Sequence, residues 1–222
     1  MASLTTVSLA PRVLLFWALS VMILAGGAWL ICPSGQCAAS ALDGAGLGLA
    51  HSLRHAALDG WVKGITWLGS LAVLLPLMAL ACVGKSRDGQ RQEAAFLMLA
   101  LLGASLLGHL TKLLVARPRP DLYAALVPIP VDWSYPSAHT MQAMAFAVAL
   151  IFVFATRRAL WAVFLGGAVF AVGLSRIYLQ VHFPSDVLAG ALAALFWVAG
   201  LHALMLGKEG GKEQVGKRES GL

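Results

Sequence analysis

The sequence predicts an all-α, polytopic membrane protein with six transmembrane helices, and three observations predict it. Apolar residues make up 59% of the 222 and charged residues only 12%, against about 25% charged in soluble domains. Mean hydropathy is +0.81. The polar residues are gathered into short stretches that separate apolar runs of bilayer-crossing length, about 20 residues of helix each.

The runs follow in order. Residues 13–31 form the first; Arg12 before them raises the alternative of a cleaved signal peptide, but the run is long for one. Residues 32–60 are Gly- and Ala-rich and carry Asp43, His51, Arg54, His55 and Asp59. His51, Arg54 and His55 have the spacing of one helix face. They read as the wet face of a helix at the interface, with a lipid-headgroup contact as the sharper alternative. The second span is 62–83, anchored by Trp61 and Trp67 and kinked at Pro76. The third covers 94–115, the fourth 137–156, the fifth 159–178 and the sixth 185–206. These form one membrane domain, 1–206, and 207–222 is a polar, Gly-rich tail expected to be disordered.

Six spans put both termini on one side. That side holds Arg12, Lys85, Arg87, Arg91, Arg157, Arg158, Lys208, Lys212, Lys217 and Arg218. Basic residues favour the cytoplasmic side. Both termini are therefore expected in the cytoplasm, with the protein in a cytoplasmic (inner) membrane. Three polar islands, 112–120, 135–139 and 175–186, then share the outer, periplasmic face. Net charge is +6, but no contiguous basic face with interleaved aromatics exists, so no nucleic-acid partner is expected. Cys32 and Cys37 flank a short turn; a disulfide and two free thiols are both open. No Cys–His zinc spacing occurs.

Ionisable groups beside membrane spans are costly and mark function. The islands bring Lys112, Arg117, Arg119, Ser137, His139, Arg176, His182 and Asp186 to one face. Cations without matching acids imply an anionic ligand. Arginine forks suit phosphate oxygens, and the start of the fourth span offers free N–H groups. His182 ahead of a helix begun by Pro184, with Asp186 in its first turn, fits a nucleophile held by an acid. His139 is then the acid and later the base. No carboxylate cluster suits Mg²⁺ or Ca²⁺, so neither metal nor cofactor is expected. Arg117 reads as facing headgroups, and His109 and His202 as structural.

Three stretches carry a resemblance: Lys112-x6-Arg119-Pro120, Pro136-Ser137-Ala138-His139, and Ser175-Arg176-x5-His182-x3-Asp186. Together they resemble the three-part signature of the type 2 phosphatidic acid phosphatase superfamily, which includes integral-membrane lipid phosphatases and the soluble vanadium haloperoxidases. The resemblance implies that His182 forms a phosphohistidine, Asp186 orients it and His139 protonates the leaving oxygen. It implies further that Lys112, Arg119, Ser137 and Arg176 hold the phosphate. Ala138 departs from the family's usual Gly, where a methyl restricts backbone approach to the phosphate.

The expected function is a metal-independent lipid phosphate or diphosphate phosphatase, with undecaprenyl diphosphate as first substrate because the outer loops are too short to select a large headgroup. Phosphatidylglycerol phosphate, phosphatidic acid and lipid A phosphates are the other candidates. A lipid-to-lipid phosphotransferase would use the same residues. A transporter or scaffold binding anionic lipids would use the cations, but it gives no reason for the His182–Asp186 pair.

Overall fold

Eight α-helices account for most of the described residues, and the polar breaks between apolar runs decide where each begins and ends. The computed structural model describes residues 11–154 and 157–207. The helices are α1 (Pro11–Ile31), α2 (Ala41–Ser52), α3 (Ala56–Thr66), α4 (Leu71–Arg87), α5 (Arg91–Val115), α6 (Ala138–Phe154), α7 (Arg158–Tyr178) and α8 (Pro184–Met205). Among the described residues there is no β-strand, in agreement with the all-α expectation. The predicted tail beyond Gly207 and the last two residues of the predicted fourth span lie outside the described residues.

By length and composition α1, α5, α7 and α8 suffice to cross a membrane, and α6 is a shorter apolar helix. The second span departs from expectation. Instead of one kinked run over 62–83, α3 ends at Thr66, a 3-10 turn follows over Trp67–Gly69, and α4 begins at Leu71. The two parts meet at 46°. Ser70 makes this break: its hydroxyl accepts the Ala72 N–H and caps α4. Pro76 lies inside α4. The His51–Arg54–His55 face is also broken. His51 closes α2, Arg54 lies between helices, and the His55 ring caps α3 by accepting the Ala57 N–H.

Helix α6 is central, packed between α5, α7 and α8, while α1 lies along α8. The buried seam is rich in small residues, including Ala100, Ala104, Ala145, Ala149, Ala189 and Ala193. Such residues let helices approach closely where lipid offers no hydrophobic drive between them. The Ser20 hydroxyl donates to the Ala193 carbonyl at 2.9 Å, and Trp17 stacks on Trp197. Leu14, Val21, Val163, Phe164 and Phe170 are exposed, the pattern of a bundle that faces lipid.

Close approach matters most at Gly190. A Cβ there would lie 2.9 Å from the Ser137 carbonyl oxygen. The glycine lets α8 seat against the start of α6, and the Ser137 N–H donates to the Asp186 carbonyl at 3.0 Å. The second and third islands are thereby locked together. Cys32 and Cys37 are disulfide-bonded in the α1–α2 connection, at the same end of the bundle as the islands.

Candidate active site

The last turn of α5, the start of α6, the last turn of α7 and the start of α8 converge on one cavity of about 230 Å³. Lys112, Arg119, His139, Arg176 and His182 line it, together with Asp132 and Gln142. The sequence separates these groups by up to 70 positions, and the fold brings them to one end of the bundle. Ser137 is placed differently: it is fully buried, and its hydroxyl pairs with the Thr140 hydroxyl at 3.0 Å rather than facing the cavity. Ala138 does line the cavity.

Each cation is positioned by its local backbone. Ala116, with φ of +49°, closes α5 with its N–H on the Lys112 carbonyl, and the chain turns away to free Arg117 and Arg119. Pro118 and Pro120 keep the residue before each out of helical geometry. Arg119 and Arg176 go to separate partners. Arg119 donates to the Val181 carbonyl at 2.6 Å and to the Asp132 carboxylate at 2.5 Å. Arg176 donates to the Thr66 hydroxyl at 2.7 Å, its Nε is buried with no protein partner, and no carboxylate pairs with it among the described residues. A buried cation left in this state implies an anion from outside.

The His182 ring is 1% exposed. Arg119 Nη1 lies 3.2 Å from its Nε2. Guanidinium only donates, so Nε2 is the acceptor and carries no proton; the ring proton sits on Nδ1. That nitrogen faces Asp186 Oδ2 and the Ser134 hydroxyl, each at 3.4 Å. These contacts are longer than an ordinary N–H···O bond. Ser134 donates to Asp186 Oδ2 at 2.5 Å and so braces both groups. Burial, then the cations Arg119, Arg176 and Lys112, push the His182 imidazole well below its ordinary 6.5. The ring is thus neutral at neutral pH, with the Nε2 lone pair free of a proton. Below about pH 6.5 the unfolded chain takes a proton that the folded ring refuses, so stability falls as pH drops from there towards the lower folded value. Melting temperature measured against pH is expected to decline over that window.

Behind the cavity lies a network that the sequence reading missed. Arg117, expected to face headgroups, is 1% exposed. Its Nη1 donates to Asp186 Oδ1 at 2.6 Å and its Nη2 to Asp43 Oδ2 at 2.8 Å. The guanidinium also covers the Phe183 ring at 3.8 Å. Asp43 caps α2 with Ser40 and accepts the Ser185 N–H at 2.9 Å, joining α2 to the start of α8. The signal for Asp43 was the Ser40-x-x-Asp43 capping box. Arg117 had none, because its partners lie 74 and 69 residues away.

Asp132 was also missed. It lies 3.1 Å from Lys112 Nζ, and Lys112 donates as well to the Trp133 carbonyl. Burial works against its charge, but Lys112 and Arg119 outweigh that and hold its carboxyl below the usual range. Among the histidines set aside, His202 stacks on Phe152 and His109 is exposed on α5, outside the cavity. No three His, Cys, Asp or Glu side chains among the described residues converge as a metal site.

The family model of the PAP2 superfamily matches residues 93–209, more than half of the chain and all three islands. The chain belongs to the PAP2 superfamily. Curated PAP2 relatives include a protein of Bacillus subtilis named phosphatidylglycerophosphatase B, 34% identical over 164 residues, covering 67% of this chain and 77% of that protein. An undecaprenyl-diphosphatase of Sulfolobus acidocaldarius is 31% identical over 150 residues, 66% of this chain and 69% of that one. The crystal structure of a transmembrane PAP2-type phosphatidylglycerolphosphate phosphatase from Bacillus subtilis superposes with a TM-score of 0.71. It is 25% identical, with 93% of this chain and 98% of that one covered. LpxE of Aquifex aeolicus gives 0.62 at 29% identity, covering 73% and 95%. This PAP2 chain is accordingly a membrane phosphatase.

Proposed function

We propose that the protein is a metal-independent lipid phosphate or diphosphate phosphatase working through a phosphohistidine on His182. The observation that carries this reading is the neutral His182 Nε2 facing a cavity ringed by Lys112, Arg119 and Arg176. The Nε2 lone pair attacks the terminal phosphorus, and its bond to the leaving oxygen (the lipid alcohol oxygen of a monophosphate, the bridging oxygen of a diphosphate) breaks as His139 gives that oxygen a proton. The three cations take up charge on the equatorial oxygens, the largest contribution in phosphoryl transfer. Water then attacks the phosphohistidine, with His139 taking its proton, and orthophosphate leaves. His139 suits both roles because its ring reaches the cavity and has no hydrogen-bond partner among the described residues. Asp186 favours the developing positive charge on the His182 ring. Because burial and the neighbouring cations make His182 resist protonation, the acid limb of kcat/KM is expected well below the ordinary histidine value of 6.5; a limb at 6.5 or above would contradict this division of roles.

Six crossings, by α1 and α4–α8, would carry the chain between the two ends, with α2 and α3 at the site end. Arg12, Lys85, Arg87, Arg91, Arg157 and Arg158 mark the opposite end, which the positive-inside rule assigns to the cytoplasm. The Cys32–Cys37 disulfide at the site end supports an oxidising, outward-facing location.

The cavity is smaller than the roughly 300–1,000 Å³ that encloses a whole drug-sized ligand. It suits a phosphate or diphosphate headgroup whose tail stays in the bilayer. An apolar groove of about 530 Å³ between α2, α3 and α7, lined by Leu49, Leu53, Leu174 and Tyr178 among others, is available for that tail. Undecaprenyl diphosphate is the first substrate by this reasoning, supported by the Sulfolobus acidocaldarius relative that carries that activity in its name. Phosphatidylglycerol phosphate is the second reading, favoured by the relative and the structural neighbour named for it. Ranking kcat/KM on these two lipids, phosphatidic acid and lipid A separates them. The expected order puts undecaprenyl diphosphate first, and a tenfold or greater preference for another lipid overturns it. Labelled lipid appearing in place of orthophosphate would instead indicate phosphotransfer.

A further inference from the structure

The phosphate-binding cations are already in contact with an anion of the chain itself. Asp132 lies 2.5 Å from Arg119 Nη2 through Oδ1 and 3.1 Å from Lys112 Nζ through Oδ2. Its main-chain carbonyl also accepts from Arg119 Nε at 2.9 Å. The same Arg119 places Nη1 over the nucleophilic nitrogen of His182. One carboxylate therefore ties up two of the three cavity cations.

Asp132 differs from the other acids of the site in having a way out. Asp43 and Asp186 are fully buried, whereas the Asp132 side chain is 45% exposed. It stands in the connection 116–137 between α5 and α6, which has no regular secondary structure. Release of its carboxylate to water leaves no buried charge behind, provided that another anion takes over Lys112 and Arg119. A phosphate can do so, since it brings more charge and more acceptor oxygens than a carboxylate. When orthophosphate departs, the carboxylate can return and leave neither cation without a counter-ion.

We propose that Asp132 is a built-in competitor for the phosphate group: it holds Lys112 and Arg119 in the empty site, yields them to the substrate, and retakes them as orthophosphate leaves. It thereby sets the affinity for free phosphate and speeds product release. The inference rests on the phosphatase reading above, and concerns a phosphate group whether it comes from a lipid or from solution.

The test compares the full-length protein in detergent with Asp132→Asn and Asp132→Ser. The first arm reads stabilisation by orthophosphate in a thermal melt, which needs no turnover. The second reads hydrolysis of a short-chain lipid phosphate and its inhibition by orthophosphate. Both variants are expected to melt below the parent when ligand-free, since Lys112 and Arg119 lose their carboxylate, and to be stabilised more than the parent by orthophosphate. Their orthophosphate Ki should fall by roughly tenfold or more, reflecting loss of a charge-assisted competitor. KM for the lipid should fall with it, while kcat does not rise. An unchanged or higher Ki in both variants, or a smaller shift in melting temperature with orthophosphate, overturns the proposal and makes Asp132 a brace for the clamp. If the parent protein hydrolyses no lipid phosphate, the phosphatase reading fails, and the melt with orthophosphate still decides the competition on its own.

Discussion

His182→Ala is expected to lower kcat on a lipid phosphate by roughly 10⁴-fold or more, because the step it removes is bond formation to phosphorus and no neighbouring group replaces it. His139 lines the same cavity, yet among the described residues no carboxylate orients its ring as Asp186 faces that of His182. Asp186→Asn is expected to cost less. Arg119 would still select the Nε2 lone pair by donating to it at 3.2 Å, and only the charge behind the ring is lost. In both variants KM should change far less than kcat, since Lys112, Arg119 and Arg176 still bind the phosphate. A His182→Ala protein that keeps full turnover would remove the nucleophile from the account altogether.

Arg117→Ala should produce the largest loss of stability. It leaves Asp43 and Asp186, both fully buried, without their shared counter-ion. Breaking a buried pair by removing one partner costs about 3–5 kcal/mol, and here two carboxylates lose one partner. For a chain of this length the melting temperature falls by on the order of 10 °C. Arg117→Lys restores a charge but not the fork that bridges the two carboxylates 69 and 74 residues distant, so it should recover only part. Activity should fall in step, since Asp186 sets the environment of His182. Thermal melts in detergent check this directly; a melt unchanged in Arg117→Ala would mean that water or ions satisfy both acids.

The convergence of Arg176, His182 and Asp186 was legible in the sequence because their spacing is local. Arg176 ends α7, Asp186 opens α8, and Pro184 sets the helix start that places His182 ahead of it, as found. The apolar runs likewise gave the helices of α1 and α5–α8 to within a few residues. What escaped depends on contacts between distant segments. Arg117 looked like an interfacial cation because its two acids come from α2 and α8. Asp132 stood in a loop with no motif, and only the folded connection lays it on Lys112 and Arg119. The break at Ser70 was hidden by an apolar run that continues through it. Its reason is packing: a Cβ on Gly69 would lie 2.8 Å from the His139 carbonyl oxygen, so the 3-10 turn is pressed against the start of α6. Ser137 was drawn to the phosphate by its motif, while its hydroxyl is taken by Thr140 one turn on.

Release of orthophosphate from undecaprenyl diphosphate, phosphatidylglycerol phosphate, phosphatidic acid and lipid A by the purified protein in detergent containing EDTA tests the central claim most directly. The account predicts release from at least one of these lipids, undiminished by the chelator and absent from His182→Ala. No release from any of them, or equal release by the His182→Ala protein, would contradict it.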